Sequence, residues 1–462
     1  MKNVLKFSAA VMIISLVAAY GLREPVLDAE DIVQNSVFKG RTFKGKTEAI
    51  NADGGQIKGY LMSEHSVPLV SCSFGFDKSG TAYEKKIGAA QLAADIMVNG
   101  AGKYSRQSLR DVMKEKGIHF GVAAGRDRLT FSFSYVKKFE DEAVKVIKAI
   151  LYEPHLSDED LALSKKQFAA ARQRQRENPQ YLLSKLVKEK FYGNHPYGRE
   201  NIPDEEILEE VTRADLIAYF KAVMGKDNLK IGIAGDIDKN GAEQLIKELF
   251  GGLLDKAEVS DLVPFEADFK QAAVKNQADF SAQNFVLAVT SGIKRTDKDF
   301  YPLYIANYVL GGASGLNSKL NKAVREENGL TYGIYSMLTH SDAVNLWQIY
   351  YSATPENAKK AKDKTSEVYE DFYQNGISEG ELEGAKKALL SSFNLRFSSL
   401  MNIAEMLYEI QVEDLGIDFL KKRQGYVNAV SLDEVNQAIK KYLPETLKAQ
   451  NGTRWFEIIG KN

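Results

Sequence analysis

The chain repeats itself once, and that repeat limits its fold more than any single residue does. Asn99-Gly100 through Gly117-Ile118 returns as Gly311-Gly312 through Gly329-Leu330 at an offset of 212 (Gly100 to Gly312, Gly117 to Gly329), with Val112 matched by Val324 and Glu115 by Glu327. Leu156-Ser157 followed by Lys165-Lys166 returns as Ile377-Ser378 followed by Lys386-Lys387. Val211-Thr212 returns as Val430-Ser431, and the run Ile231 to Gly235 as Glu457 to Gly460. Anchors that keep their order while the offset drifts mark a duplication with small insertions. Each half is about 200 residues, the size of a domain and too long for a solenoid repeat. The expected division is a first domain over 45–257, a surface linker over 258–276 and a second domain over 277–462.

Within a half the elements follow from periodicity. Ile57 to Met62 and Leu69 to Phe76 read as strands, and Leu129 to Tyr135 alternates apolar and polar as a half-buried strand does. Helices are expected over 88–98, over 105–116 with Ser105 as N-cap and Gly117 as stop, and over 139–152 and 158–176. The half closes on the strand Leu229 to Ala234. Strand pairs alternating with helix pairs predict an α+β fold: two homologous domains, each a mostly antiparallel sheet with helices on one face.

Composition narrows the function. With 61 Lys+Arg against 62 Asp+Glu, and no basic run interleaved with aromatics, nothing asks for nucleic acid. Arg172 to Arg176 alternates Arg and Gln and reads as a solvated helix face. The one cysteine, Cys72, sits in an alternating strand and reads as a small core residue; a single thiol excludes an internal disulfide and a Cys-based zinc cluster. Lys2 and Lys6 precede an uncharged run from Phe7 to Leu22, with small residues at Val17-Ala18-Ala19. That pattern predicts a secretory signal peptide over 1–19 and an exported, periplasmic protein, with an uncleaved inner-membrane anchor as the alternative.

A zinc hydrolase needs three protein ligands, an open position and a carboxylate base. The five histidines, His65, His119, His155, His195 and His340, are never four apart, so neither H-E-x-x-H nor H-x-x-E-H occurs. No G-x-S-x-G elbow is present, and Gly311-Gly312-Ala313-Ser314-Gly315 lacks the lysine of a phosphate loop. His195, in Gly193-Asn194-His195-Pro196-Tyr197-Gly198, reads as structural. The segment Asn317 to Gly333 predicts a helix, a stop at Gly329 and a strand. A chain reversal there brings the Arg325 guanidinium and the Tyr332 phenol toward one place, a donor pair suited to an oxyanion. Arg at a helix C-terminus is also favoured by the dipole alone.

That segment resembles the second-half motif of the insulinase/pitrilysin family of zinc peptidases, L-x-x-x-(L/V)-R-E-x-x-G-L-(T/A)-Y. The duplication, the stretch from Gly100 to Gly117 and His195-Pro196-Tyr197-Gly198 resemble the family too, over about residues 45 to 460. The resemblance implies two α+β domains closed like a clam shell around an extended peptide, with Arg325 and Tyr332 hydrogen-bonding the substrate carbonyl. It also exposes a departure. Where active members carry H-x-x-E-H, this chain has Gln91, Ala94 and Asp95, and the position of the third ligand, a Glu, falls on Ala170 or Ala171. The resemblance therefore implies a chain that binds no metal itself. It would be the Arg/Tyr-bearing subunit of a heterodimeric metallopeptidase whose homologous partner carries the zinc, with peptides or unfolded segments as substrates. A non-catalytic structural or peptide-binding protein of the same fold is the alternative; a stand-alone peptidase with unusual ligands is a distant third.

Overall fold

A computed structural model of the chain describes residues 45–312 and 318–461. The expected signal segment, and Ala313 to Asn317 of the glycine-rich turn, lie outside them. The first half contains β1 (Glu48–Ala52), β2 (Ile57–Ser63), β3 (Leu69–Phe76), α1 (Ala89–Ile96), α2 (Arg106–Lys116), β4 (His119–Ala124), β5 (Leu129–Val136), α3 (Glu140–Tyr152), α4 (Asp158–Gln175), α5 (Pro179–Val187), α6 (Glu205–Glu209), α7 (Arg213–Val223), β6 (Leu229–Gly235) and α8 (Lys239–Phe250). The second contains β7 (Val274–Ala278), β8 (Asn284–Ser291), α9 (Phe300–Gly311), β9 (Gly333–Thr339), β10 (Leu346–Ala353), α10 (Pro355–Asn375), α11 (Glu379–Leu395), α12 (Leu400–Val412), α13 (Phe419–Ala429), α14 (Leu432–Tyr442) and β11 (Arg454–Gly460).

The two sheets repeat one another strand for strand. Sheet 1 has the order β1-β2-β6-β3-β5-β4 and sheet 2 the order β7-β11-β8-β10-β9. Dropping β1 makes the two orders identical, and each contains one parallel pair, β2 with β6 and β7 with β11, among antiparallel neighbours. The duplication and the α+β class read from the sequence are both present. β7 begins at Val274, inside the segment expected as linker. The chain before it docks on the first half, where the Val263 carbonyl lies 3.0 Å from His195 Nε2 and the Phe265 ring packs against His195 and Tyr192.

Local chemistry sets the element ends. Ser105 Oγ accepts from the Ser108 N–H at 3.2 Å and starts α2, and Gly117 at φ 61° ends it. Leu129, Phe131, Phe133 and Tyr135 alternate inward along β5. Phe131 stacks on Phe74 at 4.7 Å, and Phe250 of α8 meets Phe74 at 4.9 Å. Burying each such ring stabilises the half by about 1.5–3 kcal/mol. Cys72 lies in this core, wholly buried. Arg172 departs from the sequence reading: it is buried rather than solvated, donating to the Ile202 carbonyl and pairing with Asp204 at 2.5 Å, because its face of α4 is covered by the 199–205 loop.

Helices cover more than one face of the sheets. The second face of sheet 1 is lined with small residues, Ser71, Ser73, Gly75 and Gly232, and α12 of the other half lies on it. A methyl group on Gly232 would run into the Ala404 carbonyl and the Tyr408 amide. Gln411 Nε2 donates to the Ile231 carbonyl at 2.5 Å. The exchange is mutual: α5 of the first half packs on β8 and β11 of sheet 2, with Gln180 Nε2 3.4 Å from Tyr350 Oη. Each half thus lends one helix to the other's sheet.

Candidate functional site

The positions matching the zinc motif lie on α1. Glu84 prepares that helix: its carboxylate accepts from Gly88 N–H at 2.9 Å and Ala90 N–H at 2.8 Å, supplying acceptors to the first turn. Burial pushes the Glu84 carboxyl up to about 7, against the pull of those two amides and of Arg199. Sequence reasoning missed Glu84; its position just ahead of an apolar helix was the available signal.

On α1, Gln91 Nε2 donates to the Ala124 carbonyl on β4 at 3.1 Å. Ala94 is packed in the sheet 1 core. Asp95 is exposed and accepts from Ser164 Oγ on α4 at 2.5 Å. Seven residues after Ser164, two helical turns on, comes Ala171, on the same face and partly buried; Ala170 is exposed. Of the four positions, Ala94 and Ala171 offer no donor atom, and none is an imidazole. A zinc ion requiring three side-chain ligands does not fit this set. Among the described residues no three His, Cys, Asp or Glu side chains are grouped so as to hold a metal.

The second-half turn is different. The helix expected before the stop at Gly329 closes as a π-helical turn over Asn321–Glu326, which carries Arg325. π-Turns of this kind occur often at functional sites. Gly329 follows at φ 60°, its N–H donating to the Arg325 carbonyl at 2.9 Å, while Leu330 N–H reaches the Val324 carbonyl at 3.0 Å. Thr331 is buried and ties the turn to its own sheet: Oγ1 donates to the Ser352 carbonyl on β10 and accepts from Gly333 N–H at 3.2 Å. Tyr332 follows at the mouth of β9, 67% exposed. Arg325 is exposed as well, and neither side chain has a hydrogen-bond or ion-pair partner among the described residues. A rigid turn therefore presents a guanidinium and a phenol to solvent, both free to donate.

His195 is structural, as expected. Nδ1 lies 3.2 Å from the Tyr197 N–H, and its ring packs on Tyr197. Tyr197 is wholly buried and donates to Asp127.

Two family models match successive parts of this chain: insulinase (peptidase family M16) over residues 60–204, which contain Gln91, Ala94 and Asp95, and the peptidase M16 inactive domain over residues 210–389, which contain Arg325 and Tyr332. The chain belongs to the M16 peptidase family. One M16 relative, the "non-peptidase homolog YmxG" of Helicobacter pylori, is 23% identical over 379 residues, 81% of this chain and 87% of its own. The mitochondrial-processing peptidase subunit beta of Lentinula edodes is 23% identical over 380 residues, 78% of this chain and 79% of its own. A crystal structure described as the peptidase M16 inactive domain from Pseudomonas fluorescens superposes with a TM-score of 0.81 at 22% identity, over 90% of this chain and 98% of that one.

Proposed function

We propose that this chain is the metal-free subunit of a two-chain peptidase, in which Arg325 and Tyr332 donate hydrogen bonds to the carbonyl oxygen of an extended peptide while a homologous partner holds the zinc. The observation that carries this reading is the contrast on one molecule between a donor set that cannot take zinc and a braced turn whose two donors have no partners among the described residues. Donors aimed at a developing oxyanion typically contribute on the order of 10²–10³ in rate. That contribution needs no metal on the same chain. A likeness to a peptidase described as a subunit supports the two-chain arrangement. Peptides or unfolded segments are the substrates, bound extended along a sheet edge. Lys2, Lys6 and the uncharged run from Phe7 to Leu22 support export to the periplasm. Among the described residues no helix is long and apolar enough to cross a membrane.

The test is peptidase activity of three samples: this chain, a co-encoded homologue bearing H-x-x-E-H, and their mixture. Activity in the mixture that greatly exceeds either component supports the reading; no gain on mixing, with no joint elution on a sizing column, removes it. The relative described as a non-peptidase homologue favours a second reading, a peptide-binding or structural protein of the same fold. Absence of any neighbouring gene for a zinc-bearing homologue would support that alternative.

A further inference from the structure

β4 is an edge strand of sheet 1, opposite β1, and β9 is the matching edge strand of sheet 2, opposite β7. The loop that follows β9, from His340 to Asn345, reaches across to the first half. Asp342 accepts from Arg128 Nη2 at 2.9 Å and from Tyr83 Oη at 2.8 Å, and Ala343 N–H donates to Tyr197 Oη at 3.2 Å. Arg128 sits at the β4–β5 turn, closed by Gly125 N–H to the Arg128 carbonyl at 2.9 Å, and its Nε also donates to Asp77 at 2.7 Å. The guanidinium and both carboxylates are mostly buried. The loop is braced on its own side too: Ser341 Oγ donates to the Val344 carbonyl at 2.6 Å, and Gly292 N–H to the Asn345 carbonyl at 2.8 Å. A displacement of Asp342 is therefore passed to β9 rather than absorbed in the loop.

We propose that Arg128 and Asp342 are positioning residues: their ion pair pins the β4 edge of sheet 1 to the β9 edge of sheet 2 at one end, and so sets the spacing of the two edges and the place of the Arg325–Tyr332 turn at the other end of β9. The part of this that concerns catalysis rests on the function proposed above; the spacing of the edges does not. β9 has seven residues, roughly 23 Å at about 3.3 Å each, so a tilt of roughly 3° about its pinned end moves Tyr332 by about 1 Å. A misplacement of that size costs up to about 10²-fold when the displaced groups stabilise a transition state. The pin also gives Tyr197 a part: its hydroxyl joins the Asp127 carboxylate of the β4–β5 turn to the Ala343 amide of the second half.

The experiment has two arms. Cysteines are placed at the exposed His119 on β4 and Lys322 in the π-turn and spin-labelled; Cys72 is buried and does not compete for the label. In the otherwise unaltered chain the distance distribution is single and narrow. Asp342→Asn and Arg128→Gln broaden it, Asp342→Glu restores most of the sharpness, and Tyr83→Phe, which removes one hydrogen bond and no charge, broadens it least. In the complex with the zinc-bearing homologue, Asp342→Asn lowers kcat about tenfold to a hundredfold and leaves KM within about twofold, because peptide binding does not depend on the displaced turn. An unchanged distance distribution in both Asp342→Asn and Arg128→Gln overturns the proposal, whatever the kinetics. Broadening in complexes that never cleave peptide upholds the pin and overturns the function it was meant to serve.

Discussion

The matched regions of the two halves have been treated in opposite ways. In the first, the side chains at the positions that match the zinc motif are engaged inside the molecule: Gln91 donates to the β4 backbone, Asp95 accepts from Ser164, and Ala94 is packed as core. In the second, Arg325 and Tyr332 stand exposed, without a partner among the described residues, on a turn that Gly329 and buried Thr331 hold in shape. Donors held at the surface by a braced turn can exchange water for a ligand, whereas donors and acceptors already paired within the fold cannot do so without breaking a bond. The difference teaches where to look for remaining chemistry in a duplicated chain: at the half whose donors are rigidly held yet unused.

The comparison can be broken most sharply through the second half. Arg325→Ala in the complex should lower kcat on the order of 10²–10³-fold, and Tyr332→Phe somewhat less. Thermal unfolding of the isolated variants should shift by no more than about 0.5 kcal/mol, since both side chains are exposed; equal losses of rate and stability would make the turn structural. In the first half the reverse holds. Ala94→Glu places a carboxylate among core side chains and should destabilise by about 2 kcal/mol or more in urea titration; no change would mean that the old metal position is open rather than filled.

The pH dependence of stability separates the halves again, with opposite signs. Glu84 has its folded pKa raised from 4.5 to about 7 by burial, so the fold holds a proton that the unfolded chain gives up. Its contribution is full below pH 4.5 and is lost as pH rises through 7, by up to about 3 kcal/mol at 1.4 kcal/mol per unit. His340 in the second half is depressed from 6.5 to about 4 by burial and by the Arg295 guanidinium, and its Nε2 has no partner among the described residues. Its contribution is present above pH 6.5 and is lost, by a similar amount, as pH falls to 4. Urea midpoints of Glu84→Gln should therefore stop declining between pH 4.5 and 7, and those of His340→Gln should stop declining on acidification from 6.5 to 4. Gly329→Ala should cost about 1 kcal/mol in the same titration, because the φ of 60° is strained for a side chain although the surrounding space is open.

Much of this was legible in the sequence because it is local. β3, β5 and α2, with the Ser105 cap and the Gly117 stop, follow from alternation and capping alone. The drifting repeat foretold two sheets of one topology. That Gln91, Ala94 and Asp95 stand where the family motif has H-x-x-E-H was a matter of residue identity and needed no coordinates. What could not be read is what crosses between halves. α12 lying on sheet 1 depends on Gly75 and Gly232, whose absent side chains look like weak strand positions until a helix is seen against them. Arg128 and Asp342 lie 214 residues apart, and no periodicity links them. Arg172 was misread for the same reason: the run of alternating Arg and Gln looks solvated, and only the 199–205 loop, folded over it, makes one guanidinium a buried partner of Asp204.

The central claim is that catalytic influence resides in the second half of this chain and has left the first. Two double variants, each combined with the wild-type zinc-bearing homologue, test it by kcat on one peptide. The account predicts that Arg325→Ala with Tyr332→Phe reduces kcat to near the level of the partner alone, while Gln91→Ala with Asp95→Ala stays within about twofold of wild type. A complex indifferent to the first pair and disabled by the second would contradict it.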